Sequence, residues 1–182
     1  MSIRFGEIRQ LAFVVPDIDS AMQHWAETLG VGPFCVMRRL RFATYQFEGR
    51  DLPSPVISIA LAVSDTLQVE LIEQHDDLAS LYLDASREEA ATGFHHVSSW
   101  VTKVDYDTRA ARLSAEGLQI AQQGVLAKSG IRLSYWATRT ADTPVTFETS
   151  DAGDPIHAGR IRRVQNAAAD WDGSHPVIEV AS

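Results

Sequence analysis

Four polar residues interrupt runs of apolar, strand-like sequence: Gln10 in "IRQLAFVV" (8–15), Glu70 in "LQVELIEQ" (67–74), His96 in "FHHVSSWV" (94–101) and Glu148 in "PVTFETS" (144–150). A polar side chain on an apolar strand face is unfavourable to bury unless it finds a partner, so each asks for an explanation. Gln10 shares a strand face with Ala12 and Val14, and the bulkier Leu11, Phe13 and Val15 make the opposite face, which is expected to meet a helix. The same alternation sets His95 and His96 on opposite sides of a strand, and parity with Gln10 makes His96 the cavity-facing member of the pair.

An amide oxygen, two carboxylates and an imidazole form a hard-to-borderline O/O/N/O donor set, suited to a divalent metal ion such as Zn²⁺, Ni²⁺, Co²⁺, Mn²⁺ or Mg²⁺. On an octahedral ion two positions would stay open for a substrate. Taken singly, each residue also reads as an ordinary hydrogen-bonded polar group at a sheet edge. Their equivalent places in a repeated pattern favour ligation.

That pattern appears when the chain is divided into elements. "IRQLAFVV" is a strand stopped by Pro16, and "DIDSAMQHWAETLG" (17–30) is a helix with Asp17 or Asp19 at its start, an apolar stripe through Ile18, Met22, Trp25, Ala26 and Leu29, and Gly30 at its end. Three strands follow, at 33–42, 56–63 and 67–74. After a connector (75–93) with room for one short helix the order restarts: a strand at 94–101, a helix at 103–117, then strands at 118–127, 131–138 and 144–150. With Gln10 laid on His96, Asp19 falls on Asp105 and Gly30 one place from Gly117. The reading is α+β: two tandem βαβββ modules (6–74 and 94–150) in one domain over 1–150, forming a curved, mostly antiparallel sheet around a metal cavity. Residues 151–182 add a helix near 155–169 and an extended tail.

Composition narrows the function classes. The 182 residues carry 24 acidic and 16 basic side chains, a net charge of −8 that argues against a nucleic-acid or anionic-membrane surface. The longest basic cluster, "RRLR" (38–41), reads as a solvated strand edge, although Arg38, Arg39 or Arg41 could steer an anionic substrate toward a pocket. A single cysteine, Cys35, forms no intrachain disulfide, and "MSIRFGEIRQ" has no signal-peptide core, so a cytoplasmic protein without a membrane anchor is expected. Trp100 and Tyr135 are candidate cavity-wall residues, whereas His24, His75, His157 and His175 read as surface residues.

"RQLAFVVPDIDSAMQHWAETLG", "LQVELIEQ", "FHHVSSWV" and "VTFETS" resemble the signature segments of the vicinal oxygen chelate superfamily, which includes glyoxalase I, methylmalonyl-CoA epimerase, extradiol dioxygenases and bleomycin-resistance proteins. The resemblance places the family's ligand positions on Gln10, Glu70, His96 and Glu148. It implies a metal-dependent isomerase, epimerase or lyase acting on a small carbonyl compound or acyl thioester, with Glu148 as the base, Glu70 as the second acid/base, and a homodimer as the assembly. Val14 stands where glyoxalase I carries an arginine for glutathione, which argues against that substrate. Gln10 replaces a histidine of the dioxygenase triad, which argues against O₂ activation. A resistance-type binding protein usually lacks the ligand set retained here. A dioxygenase and a non-catalytic binder are therefore the alternatives to the isomerase reading.

Overall fold

The computed structural model describes residues 2–87, 93–137 and 145–180. Strand β1 (Gln10–Val14) leads into helix α1 (Ile18–Leu29), which starts where the Asp17 side chain accepts the Ser20 N–H. The helix ends at Gly30, whose φ of 65° suits glycine because it has no Cβ to clash. Ile18 and Met22 turn inward, and the Trp25 ring lies 5.1 Å from that of Phe13, so the bulky face of β1 does meet the helix. Strands β2 (Phe34–Leu40), β3 (Phe42–Phe47), β4 (Arg50–Asp51), β5 (Ile57–Ser64) and β6 (Leu67–Gln74) follow, then the short helix α2 (Leu81–Arg87). The second half runs β7 (Phe94–Trp100), α3 (Lys103–Ala115), β8 (Gln119–Leu126), β9 (Arg132–Ala137) and β10 (Thr146–Ser150). Connector residues 88–92 and the "RTADT" loop lie outside the described residues.

The strands among the described residues join one sheet, in the order β11-β2-β5-β6-β1-β7-β10-β9-β8-β3-β4. Here β11 (Val177–Glu179) belongs to the tail. The sheet is mixed: β1–β6, β7–β10 and β2–β11 are parallel pairs, and the other pairings are antiparallel. In each half the first and last strands of the βαβββ unit lie side by side, and β1 and β7 join the halves at the centre. Equivalent residues of the two halves thus converge on the middle of one concave face. On the outer face α1 covers Phe34, Val36 and Leu71, while α3 sets Leu113 against Phe5, Trp136 and Phe147. Each of these large apolar side chains contributes roughly 1.5–3 kcal/mol when fully buried.

The strand expected over 33–42 is two strands with different destinations. The chain turns at Arg39 (φ 51°), where the β2–β5 register shifts between Met37 and Leu40, and β3 then crosses to the far edge of the sheet to pair with β8. Gly124 permits the approach: a Cβ there would lie 2.7 Å from the Phe42 ring and 2.8 Å from the Thr44 carbonyl oxygen. The crossing buries Phe42, Tyr45 and Phe47 in the inner apolar cluster with Leu133 and Tyr135.

The tail closes over the concave side. Two 3₁₀ turns (Asp151–Gly153 and Pro155–His157) lead into α4 (Ala158–Ala169), whose Val164 is buried. β11 then adds to the β2 edge, and Trp171 packs on Gly32, where any side chain would collide with its ring at 2.8 Å. No helix among the described residues is long and apolar enough to cross a membrane.

Candidate functional site

The pairing register places the four singled-out residues. Gln10 lies opposite both Gln68 and Ser98, and Ala12 opposite both Glu70 and His96, so these side chains share the concave face. Glu148 is opposite Ser98 on one side and Tyr135 on the other. Gln10, Glu70 and Glu148 line a cavity of about 370 Å³ under α4, and Trp100 and Tyr135 are part of its wall. His96 sits behind the carboxylates, fully buried. A wider cleft of about 670 Å³ at the end of the sheet shares Gln68, Trp100 and Ile161 with this cavity, but neither carboxylate reaches it.

His96 Nε2 lies 3.5 Å from Glu70 Oε2 and 3.6 Å from Glu148 Oε2, and it has no hydrogen-bond partner. Burial holds His96 well below the usual imidazole range, with the neighbouring His95 adding to the effect, so the ring is neutral and these contacts are not ion pairs. Two donors sharing an ion at ~2.1 Å stand about 3.0–3.4 Å apart. The observed spacing is slightly wider, and among the described residues no group of three or more His, Cys, Asp or Glu side chains forms a closed coordination set. The donor chemistry nonetheless fits a divalent cation. An imidazole nitrogen without a hydrogen-bond partner, set between two carboxylates, is a donor set of the kind that divalent cations take. Gln10 donates from Nε2 to Gln68 Oε1 at 2.8 Å, which leaves its own amide oxygen as the donor it could contribute.

The two carboxylates have different surroundings. Burial, and then the proximity of Glu148, push Glu70 well above the ordinary carboxylate range. Burial also raises Glu148, but hydrogen bonds from Ser98, Tyr135 and Ser150 pull it back toward the charged form; the Ser98 hydroxyl donates to Glu148 Oε1 at 2.6 Å.

The alternation expected for His95 and His96 does not hold. The β1–β7 register slips between Ala12 and Phe13, with Ala12 opposite His96 and Phe13 opposite Phe94, so His95 is the extra residue of a β-bulge. Both rings meet Tyr135 on the concave side, at 5.6 Å for His95 and 4.9 Å for His96. Their Nδ1 atoms are 2.8 Å apart, a contact in which one ring must donate and the other accept. With the His96 Nε2 lone pair left free for a cation, its Nδ1–H donates and His95 accepts. Burial holds His95 neutral, with its pKa lowered to about 4.

Sequence reasoning missed several cavity residues. Gln68 and Tyr82 are buried in the wall, and Tyr82 shares a 2.9 Å hydroxyl contact with Tyr135. His157 is buried against the cavity, not at the surface, because α4 folds back over the sheet; the stripe His157, Ile161, Val164 was the available signal. Of the "RRLR" cluster, Arg38 is held by Asp19 and Glu179 while Arg41 reaches the cavity wall.

A curved sheet of paired βαβββ units with its polar site between the halves defines the class. Residues 9–135 match the family model of the glyoxalase/bleomycin resistance protein/dioxygenase superfamily, and the chain belongs to that superfamily. Among solved structures it is similar to methylmalonyl-CoA epimerase from Mycobacterium tuberculosis, with a TM-score of 0.55 and 16% identity over 82% of this chain and 91% of that one. A hypothetical protein from Bacillus halodurans C-125 gives 0.54 and 15% over 79% and 92%. The Streptomyces coelicolor methylmalonyl-CoA epimerase Q60A variant, in complex with 2-nitronate-propionyl-CoA, gives 0.50 and 15% over 80% and 96%. At these identities the likeness is one of fold. No curated protein matches the chain.

Proposed function

We propose that this protein is a metal-dependent isomerase or epimerase that moves a proton on the carbon next to a carbonyl or acyl-thioester group. The observation that carries the reading is the pair of buried carboxylates, Glu70 and Glu148, each reaching the same unpartnered nitrogen of His96 at the inner end of a cavity. Gln10, Glu70, His96 and Glu148 would hold the cation, which when bound supplies Lewis-acid stabilisation to an enolate oxygen. Glu148, kept toward its charged form by the Ser98 hydroxyl, takes the proton. Glu70, across the His96 nitrogen from Glu148, is the second acid/base and returns a proton on the other face. Met37, Leu40, Ile59 and Leu61 make an apolar part of the wall for the uncharged portion of a substrate. A thioester substrate is supported by the 2-nitronate-propionyl-CoA complex of a similar structure.

Incubation of 2-substituted acyl thioesters in D₂O should place deuterium at the α-carbon, and the incorporation should be lost on chelation and restored by a divalent metal. Absence of exchange with every thioester and carbonyl candidate, in metal-loaded protein, overturns the reading. A homodimer is part of the same proposal; a concentration-independent monomer mass in sedimentation removes it.

A further inference from the structure

The cavity wall has a division that the proposed chemistry does not use. Its side chains are buried or half-buried apart from four exposed ones, Arg41, Lys128, Arg160 and Arg163, and these mark where the cavity opens. All four are cations. They come from three separate segments: the β2–β3 junction, the β8–β9 turn and α4. None forms an ion pair among the described residues, which is also true of Arg39, Lys103, Arg109, Arg112 and Arg162; what sets the four apart is that they share one opening. In a chain of net charge −8, leaving the cations of one opening without acidic partners concentrates positive potential there.

The geometry points to this opening as the binding site for the phosphate-type polyanionic end of a two-part ligand, whose uncharged reactive end enters the cavity. The ligand's division follows from the wall. Below the opening the wall holds no lysine or arginine, so a polyanionic end has its side-chain partners only outside, against the four cations. The space of about 370 Å³ is at the small end for a ligand pocket, so it suits the reactive portion alone. A lone carboxylate is satisfied by one guanidinium; cations converging from three segments match several charges, and the arginine fork fits phosphate oxygens. Arg160 and Arg163 are one turn apart on α4, and the field of Arg163 reaches inward to favour the thiolate of Cys35, against the burial that raises that thiol. The tail helix therefore contributes specificity as well as cover. The inference rests on the proposed function only in taking this cavity as the reaction site.

Calorimetry with inorganic pyrophosphate on the full chain tests it. Pyrophosphate should bind at low salt, acetate should bind at least about tenfold more weakly, and affinity should fall between about 50 and 200 mM salt. The R160E/R163E variant should lose pyrophosphate at least about tenfold and R160Q/R163Q should lose an intermediate amount, each with an unchanged thermal melt. R162E, an exposed arginine of the same helix outside the cavity wall, should stay within about twofold. Comparing ADP with pyrophosphate separates two sources of the same chemistry: tighter ADP binding assigns a nucleotide-bearing carrier, and equal binding assigns a simple phosphate ester. No pyrophosphate binding at low salt, or an equal loss in R162E, overturns the inference. The reaction reading fails separately, since loss of α-proton exchange leaves pyrophosphate affinity where it was.

Discussion

The two halves of the sheet are built alike and finished differently. Each places a glutamate on the strand beside its first strand, Glu70 on β6 and Glu148 on β10, and each presents it to the same nitrogen of His96. In the first half the neighbouring polar residue, Gln68, bonds to Gln10, and burial and like charge leave Glu70 favouring its protonated form. In the second half Ser98 turns its hydroxyl onto Glu148 and stabilises the anion. Repetition thus supplies two acids in one place, and the hydrogen bonds around them separate their affinities for a proton. In the proposed function, such a separation would let one act as the acid and the other as the base.

The largest effects are expected at the acids themselves. Glu148→Gln should lower α-proton exchange by about 10²–10⁴-fold with metal still bound, because glutamine offers an oxygen but cannot take the proton. Glu70→Gln should lose epimerisation yet keep exchange from one face, read by mass spectrometry of substrate recovered from D₂O. Equal loss of both signals in both variants would mean the halves are not divided in this way.

Metal affinity is the next effect. His96→Ala should lose Co²⁺ or Zn²⁺ binding in calorimetry outright, because the shared nitrogen is gone. His95→Phe keeps a ring beside Tyr82 and Tyr135 but removes the nitrogen that orients His96, so binding should weaken by about 10–100-fold without disappearing. Unchanged binding in His95→Phe would make the bulge a packing feature only.

Ser98→Ala sharpens the contrast between the acids. Without the hydroxyl the Glu148 carboxyl moves further up, so the acid limb of the exchange profile shifts to higher pH; the rate should fall at the acid end of the profile and little at its alkaline end. The smallest effect is on stability. A carboxyl raised by folding leaves stability intact below the unfolded pKa and removes it as pH rises through the folded value. In metal-free protein Glu70→Gln should therefore raise the melting temperature at pH 8, by about 2–4 °C for each kcal/mol relieved, and leave it unchanged at pH 4.

Much of this was legible in local sequence. Apolar periodicity, Asp17 and Gly30 at the ends of α1, and the doubled βαβββ order come from interactions within a few residues, so the chain by itself determined the modules and the strands carrying Gln10, Glu70, His96 and Glu148. Tertiary structure alone decided that β3 deserts its own half for β8, since that depends on an opening at Gly124 more than 70 residues away in the chain. It also decided that His95 joins His96 on the concave face. A bulge is set by register against the partner strand β1, and nothing in "FHHVSSWV" specifies that register. Burial of His157 and the gathering of Arg41, Lys128, Arg160 and Arg163 at one opening came the same way, from the tail folding across the sheet. Local periodicity reports which side of an element is apolar; only long-range packing chooses what that side meets.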